Sequence, residues 1–399
     1  MRKKLLFKSL AIALLISGSV LPSSAQHFTL SKKNFVDTVK ISFWNGAVII
    51  PVEINGTVRN LLFDTGSKTG FWIGEEEEWM VPTGKSIKVI DSQKKTQKKS
   101  IVQLPSIKMG NITIKNYPVI VDKGLAGFVC GKFDGALGFD LVARGLSFKF
   151  DTKDSLMIVT DRKRFFDKEG EGCPTVKYRD RTRPMVFVSF PYSRIKILFD
   201  SGYIGGWIDM PQYLLNRWSA NSPKMKRFVD EMTVRVDTMV HTEAGLFGRV
   251  TDTVENRVLH IPKAELGGLV IHDLWVSTGV KSMKMGSALL EQISLIINAQ
   301  KKQLVLLPHN GKNEIVAKDD SKRGLAFVPA EEGDPFGALK AVVYNGLEAY
   351  NKGIRTGDYL ISADGVPITD YCTYFWLSEK NIKHMKLRSP EGEVKEVDW

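Results

Sequence analysis

Two stretches of the chain, LLFDTGSKTGFW (residues 61–72) and ILFDSGYIGGWI (residues 197–208), carry the same short pattern. Each is an apolar run ending in Phe-Asp, followed by Thr or Ser, then Gly, with a second glycine four positions on. Apolar runs bounded by turn residues read as strands, so Asp64 and Asp200 each stand at a strand end. A chain that builds one unusual turn twice is constrained to give the two copies equivalent surroundings. Two strand-end acids in equivalent surroundings can meet face to face across a pseudo-twofold axis.

The flanking sequence repeats too. In AVIIPVEINGTVRNLLFDTG, apolar residues alternate on both sides of Asn55-Gly56, a dipeptide whose residues tolerate positive φ and so favour a tight hairpin. MVFVSFPYSRIKILFDSG repeats the hairpin, with a longer turn expected around Pro191–Arg194. Residues 104–121 align without gaps with 261–278, placing Pro105 on Pro262, Gly110 on Gly267 and Ile114 on Ile271. Residues 135–159 match 284–308 more loosely: a glycine, a short helix-like stretch, then two strands around a polar turn. Three matches in the same order predict an internal duplication. Its mostly β lobes are expected over 26–160 and 185–310, joined by a polar linker at 161–184. The clearest helix, 211–232, is expected to break near Pro223.

Residues 1–25 have a basic start, a short apolar stretch and small residues before Ala25, the pattern of a removable secretory leader. No later stretch is apolar enough to span a membrane, so a periplasmic or secreted location is expected. Three cysteines (Cys130, Cys173, Cys372) leave at least one thiol free and leave any pairing open. They fit no zinc pattern, and the six scattered histidines do not pair at ligand spacing, so no metal site is expected. The net charge of +12 is spread out, with one dense patch at residues 94–99 that reads as a solvated hairpin tip. The acidic run Glu75–Glu78 reads as a solvated helix start, and no nucleic-acid motif is present.

Two carboxylates held close cannot both ionise comfortably, so the pair shares a proton and titrates as a unit. Such a pair can hold a water, one carboxylate acting as general base on it while the other acts as general acid on a carbonyl oxygen. Glycine lets the two backbones approach, and the Thr or Ser hydroxyl can bond across to the opposite turn. On Phe63-Asp64-Thr65-Gly66-Ser67, Phe199-Asp200-Ser201-Gly202 and Ala136-Leu137-Gly138, residues 45–308 resemble the aspartic proteases of the pepsin and retropepsin type. The resemblance implies a bilobal, pseudo-twofold β fold with a dyad of Asp64 and Asp200, supported by Thr65, Gly66, Ser201 and Gly202. It also implies flaps around 87–103 and 239–253. Two residues depart from the family pattern: Tyr203 stands where a small residue is usual, and Lys284 interrupts the apolar pair before Gly286.

The segment from about Ser321 to Trp399 has no counterpart in the repeat. LKAVVYNGLEAYNKGIRTGDYLISADGVPIT resembles a PDZ domain, with Gly324, Leu325, Ala326 and Phe327 similar to its carboxylate-binding loop. The resemblance implies capture of peptide C-termini by strand addition. Together the two resemblances imply an exported aspartic endopeptidase that needs no cofactor and acts on extended peptides. A peptide-binding protein that keeps the protease shape without cutting is the alternative.

Overall fold

The computed structural model describes residues 28–72, 77–92, 94–122, 126–180, 182–245, 248–318, 324–331 and 334–399. The expected leader (1–25), Glu75 and Glu76, the tip of the second expected flap (246–247) and residues 321–323 lie outside the described residues. The chain is mostly β, with 49% strand and 13% helix. Among the described residues, no helix is long and apolar enough to cross a membrane.

Seven strands organise residues 47–138: β1 (Ala47–Ile54), β2 (Thr57–Asp64), β3 (Gly70–Phe71), β4 (Val81–Ile90), β5 (Thr96–Met109), β6 (Ile112–Val121) and β7 (Gly135–Gly138). Seven more organise residues 185–285: β8 (Met185–Phe190), β9 (Ser193–Phe199), β10 (Ile208–Asp209), β11 (Thr233–Gly245), β12 (Gly248–Leu266), β13 (Leu269–Ser277) and β14 (Lys284–Met285). The first set is ordered β6-β3-β7-β2-β1-β5-β4 and the second β13-β10-β14-β9-β8-β12-β11. The two orders are the same with every label advanced by seven, and in each set one further pairing, β5–β6 or β12–β13, closes the sheet on itself. The duplication in the sequence is thus a duplication of topology.

The turns follow from local chemistry. Asn55 and Gly56 both take positive φ (48° and 75°) between the paired residues Ile54 and Thr57. The second hairpin is as tight, not longer: Phe190 pairs with Ser193, leaving only Pro191 and Tyr192 in the turn. Gly110 and Gly267 each take φ +59° between their long strands. The expected helix is two helices, Gln212–Ala220 and Pro223–Met232, and Ser222 caps the second by accepting from the Met225 amide at 3.1 Å.

A third, six-stranded sheet joins the halves. Ser147–Asp151 pairs antiparallel with Ile293–Asn298, setting Phe148 against Ile297 and Phe150 against Leu295. Phe63, at the end of β2, packs on Phe150 with ring centroids 4.4 Å apart, and both rings are fully buried. Each such side chain contributes roughly 1.5–3 kcal/mol through burial, so the strand end carrying Asp64 rests on the joining sheet through Phe63. The linker reading of 161–184 is incomplete. Val176 and Tyr178 are buried, and Thr175–Lys177 forms an edge strand on Gln303–Pro308. The second half likewise runs past residue 310, because Glu314–Val316 pairs in parallel with β13.

The C-terminal unit is a separate sheet of β15 (Leu325–Pro329), β16 (Leu339–Val343), β17 (Tyr359–Ala363), β18 (His384–Arg388) and β19 (Val394–Asp398) in sequence order, with the short strand Val366–Pro367 paired to β17, and is covered by the helix Tyr371–Ser378. Its core is built on Phe327, Leu339, Leu360, Phe375 and Leu387. A Cys130–Cys372 disulfide ties this helix to the first half and leaves Cys173 as the free thiol. Trp44 against Phe375 (5.2 Å), Phe128 against Tyr371 (5.7 Å) and a Lys132–Glu379 ion pair (2.9 Å) complete the junction. The disulfide closes a long loop and so constrains the unfolded chain strongly, typically by about 2–4 kcal/mol. Replacing both cysteines by serine should therefore lower the thermal midpoint of the C-terminal unit ahead of the rest. Calorimetry resolving a second, earlier transition checks this, and an unchanged single transition contradicts it.

Candidate active site

The geometry is built by register. In the first half, β7 runs parallel to β2 with Gly138 opposite Asp64. In the second, β14 runs parallel to β9 with Met285 opposite Phe199, and the Asp200 amide donates to the Met285 carbonyl at 2.8 Å. Each acid therefore leaves its strand at the same point of an equivalent sheet.

The two turns interlock through reciprocal hydrogen bonds. The Thr65 amide donates to Ser201 Oγ at 3.0 Å, and the Ser201 amide donates to Thr65 Oγ1 at 3.0 Å. The hydroxyls then donate onward across the seam, Thr65 to the Phe199 carbonyl (2.5 Å) and Ser201 to the Phe63 carbonyl (2.6 Å). Both side chains are buried. Every hydroxyl hydrogen and both amides are used, and fully satisfied buried networks of this kind specify one geometry.

Within each turn the carboxylate is oriented by its own glycine. The Gly66 amide donates to Asp64 Oδ1 at 2.8 Å, and the Gly202 amide to Asp200 Oδ1 at 3.1 Å. Each glycine also faces the opposite acid. A Cβ on Gly66 would lie 2.6 Å from Asp200 Oδ1, and one on Gly202 would lie 2.4 Å from Asp64 Cγ. No side chain fits in either place, which is why both positions are glycine. The six residues Asp64, Thr65, Gly66, Asp200, Ser201 and Gly202 thus come together as one constellation.

The acids are half-buried at the seam, with dense protein around them. Loss of hydration is the largest effect on both and raises both carboxyls above the ordinary range; Asp64 adds a further rise at Asp200, which is pushed up to about 8. The hydrogen bond between the two side chains lowers Asp64 and raises Asp200, and the Lys284 charge pulls both down. The arrangement is one in which two close carboxyls share a proton and titrate as a pair.

Several supporting residues escaped the reading of the sequence. Behind Asp64, the Thr69 amide and hydroxyl both donate to Asp140 Oδ1 at 2.9 Å, and Tyr117 donates to Asp140 Oδ2 at 2.6 Å. Burial and the Asp140 charge push the Tyr117 hydroxyl well above its ordinary pKa, so it remains a donor. Thr69 also accepts from the Gly138 amide at 2.9 Å, fixing β7 behind the turn. Behind Asp200, Ser287 accepts from the Gly205 amide and donates to the Asn45 carbonyl, both at 3.0 Å, tying the second turn to the first half. The only trace of these in the sequence is a polar residue, Asp140 or Ser287, just after a glycine in an otherwise apolar stretch.

The hairpin expected at 87–103 is β4–β5, paired from Val81–Gln103 to Ile90–Thr96. Its turn reaches the second half, where Ser282 Oγ donates to the Ser92 carbonyl at 3.0 Å. Gly324, Leu325, Ala326 and Phe327 do not form a loop. A continuous apolar run carries Leu325–Pro329 into edge strand β15, leaving only Gly324 (φ +63°) of the four outside it. Phe327 is buried against Tyr374 (5.2 Å). Leu325 borders two cavities. A small one lies toward Tyr374 and Trp399. The other, of about 390 Å³, is walled by Trp207, Trp275 and Arg235 and reaches Tyr203 and Gly205 beside the Asp200 turn.

No protein-family model matches this chain, and no curated protein matches it significantly.

Proposed function

We propose that this chain is an exported aspartic endopeptidase with an appended PDZ-like peptide-capturing domain. The observation that carries the reading is the mutual insertion of the two Asp-hydroxyl-Gly turns, each glycine seated on the opposite carboxylate. In the proposed reaction, an extended peptide lies between the two halves, and a water sits between the acids. The ionised carboxylate takes a proton from that water as it attacks the peptide carbonyl carbon. The protonated carboxyl gives its proton to the carbonyl oxygen, and a second transfer to the leaving nitrogen breaks the C–N bond. Among the described residues, β15 is the terminal strand of its sheet and packs through Phe327 on Tyr374 of the helix Tyr371–Ser378, a geometry suited to adding a peptide as a further strand. The basic-then-apolar stretch over residues 1–25 supports export.

The test is cleavage of an unfolded protein substrate across pH. Activity requires the singly protonated pair, so it should rise once the first proton leaves and fall once the second does. Both carboxyls are raised, Asp200 to about 8. The window therefore opens above the ordinary carboxylate range and closes near pH 8, giving a near-neutral maximum. A maximum confined to strongly acid solution contradicts the charge arrangement. Absence of cleavage at every pH, with peptide still bound at β15, favours a non-catalytic peptide-binding protein.

A further inference from the structure

The two departures of the second turn from the protease pattern, Tyr203 and Lys284, are a single structural feature. Lys284 is only 4% exposed, an unusual place for a lysine unless its charge is answered. It lies on β14, with Leu198 opposite on β9 and Asp209 opposite on β10. Residues directly opposite in a sheet share a face, so Leu198, Lys284 and Asp209 lie on one face, and the Asp200 turn leaves β9 two residues beyond Leu198. The Lys284 ammonium sits 4.5 Å from the centroid of the Tyr203 ring, within the range of cation–π attraction.

Tyr203 is itself locked. Its ring fills the space left by two glycines: a Cβ on Gly206 would lie 2.0 Å from its Cζ, and one on Gly286 would lie 2.6 Å from its Cδ1. Its amide donates to the Asp200 carbonyl (3.0 Å), and its carbonyl accepts from the Ser287 amide (2.9 Å). The aromatic ring thus holds the ammonium at a fixed place behind the Asp200 turn.

We propose that Lys284, clamped by Tyr203 and opposed by Asp209, is a positioning residue that supplies the compensating positive charge for the Asp64–Asp200 pair. This rests on the endopeptidase reading for its consequence in catalysis, but not for its electrostatics. Two carboxyls crowded at a dehydrated seam resist ionisation. A cation fixed behind them offsets that resistance and keeps the singly ionised pair populated toward lower pH. The Lys284 charge acts on both acids in the lowering direction. Among the described residues, the charged and titratable groups around it are Asp64 and Asp200 at the pair and Tyr203 and Asp209 beside it, with Arg235, Lys318 and Tyr344 lining the adjoining cavity and Asp237 paired with Arg235. Asp209 is buried (5% exposed) and stands opposite Lys284 in the sheet register, so under the proposal its carboxylate offsets part of the Lys284 charge.

The experiment uses the full chain and two variants of opposite sign. Lys284→Met keeps the volume and removes the positive charge, so both limbs of the pH–activity profile should move up by about one pH unit. Asp209→Asn removes the opposing negative charge, so both limbs should move down. Lys284→Arg should restore the wild-type profile. A merely structural lysine would lower activity or stability without moving both limbs up in Lys284→Met. Carboxyl carbon NMR titration of the pair, with ¹³C-labelled aspartate, reads the same shifts without any turnover. A wild type that cleaves nothing sinks the endopeptidase reading and leaves that titration to decide the role of Lys284. Titration curves for Asp64 and Asp200 that coincide in wild type and Lys284→Met overturn the proposal. If Lys284→Met fails to fold, the Asp209→Asn displacement alone decides, and its absence overturns the proposal.

Discussion

Asp64→Asn and Asp200→Asn should each abolish peptide cleavage, with kcat falling at least about 10³-fold, since one acid must act as base while the other acts as acid. The double variant should lose little more, because groups that act as a unit are not additive. Asparagine keeps the shape of the side chain and can still accept from the Gly66 or Gly202 amide, so the interlocked turns should persist. Stability gives an independent signature. Asp200 is raised in the folded state, so between its unfolded value and about pH 8 the folded chain binds more protons than the unfolded one. Its contribution to stability is fully present below the unfolded pKa and is lost as pH rises through about 8. Asp200→Asn removes that dependence, so the variant should lose less stability than the wild type between pH 6 and 9 in urea titrations. Cleavage that survives in either single variant would show that the turn concerned has no part in the chemistry.

The parts of the fold that the sequence disclosed were those fixed by local rules. Alternation around Asn55-Gly56 disclosed a hairpin because Asn and Gly both accept the positive φ of a turn whose twist matches the paired strands. Repetition of Pro, Gly and Ile at matched positions disclosed equivalent strands, and equivalent strands proved to share one order. The six residues of the twin turns were legible because strand end, hydroxyl and glycine recur together. What stayed hidden depends on contacts distant in sequence. Nothing in Thr69, Tyr117 and Asp140 taken singly says that a strand 48 residues on will deliver a phenol to the same carboxylate. The pairing of Cys130 with Cys372 depends on how the C-terminal unit docks, a matter of Trp44, Phe128 and Lys132 rather than of spacing. Lys284 read as a fault in an apolar motif, because the ring that receives it comes from the opposite end of its half. The Gly324–Phe327 segment was misread as a loop because a glycine before an apolar run begins a strand as readily as it shapes a binding turn.

Gly202→Ala and Gly66→Ala should be nearly as damaging as loss of an acid, by a route that crosses the seam. The new methyl on Gly202 would overlap the Asp64 carboxylate at 2.4–2.6 Å, and the methyl on Gly66 would overlap that of Asp200 at 2.6–2.8 Å. Such contacts are far inside van der Waals distance, so the opposite acid must move. A displacement of about 1 Å can cost on the order of 10²-fold in rate, since the acids must stay aligned with the water and the carbonyl. Neither glycine takes a positive φ, so backbone strain is not the cause and the defect should lie in kcat. Gly56→Ala is the matched control. It has open space around it but takes φ +75°, so alanine should cost about 1 kcal/mol of stability through strain and leave kcat unchanged. The crossing is what makes the test specific. Carboxyl NMR of Gly202→Ala should show Asp64 perturbed more than Asp200, although Asp200 is the nearer in sequence. Perturbation of Asp200 alone would mean that the turns do not insert into one another as described.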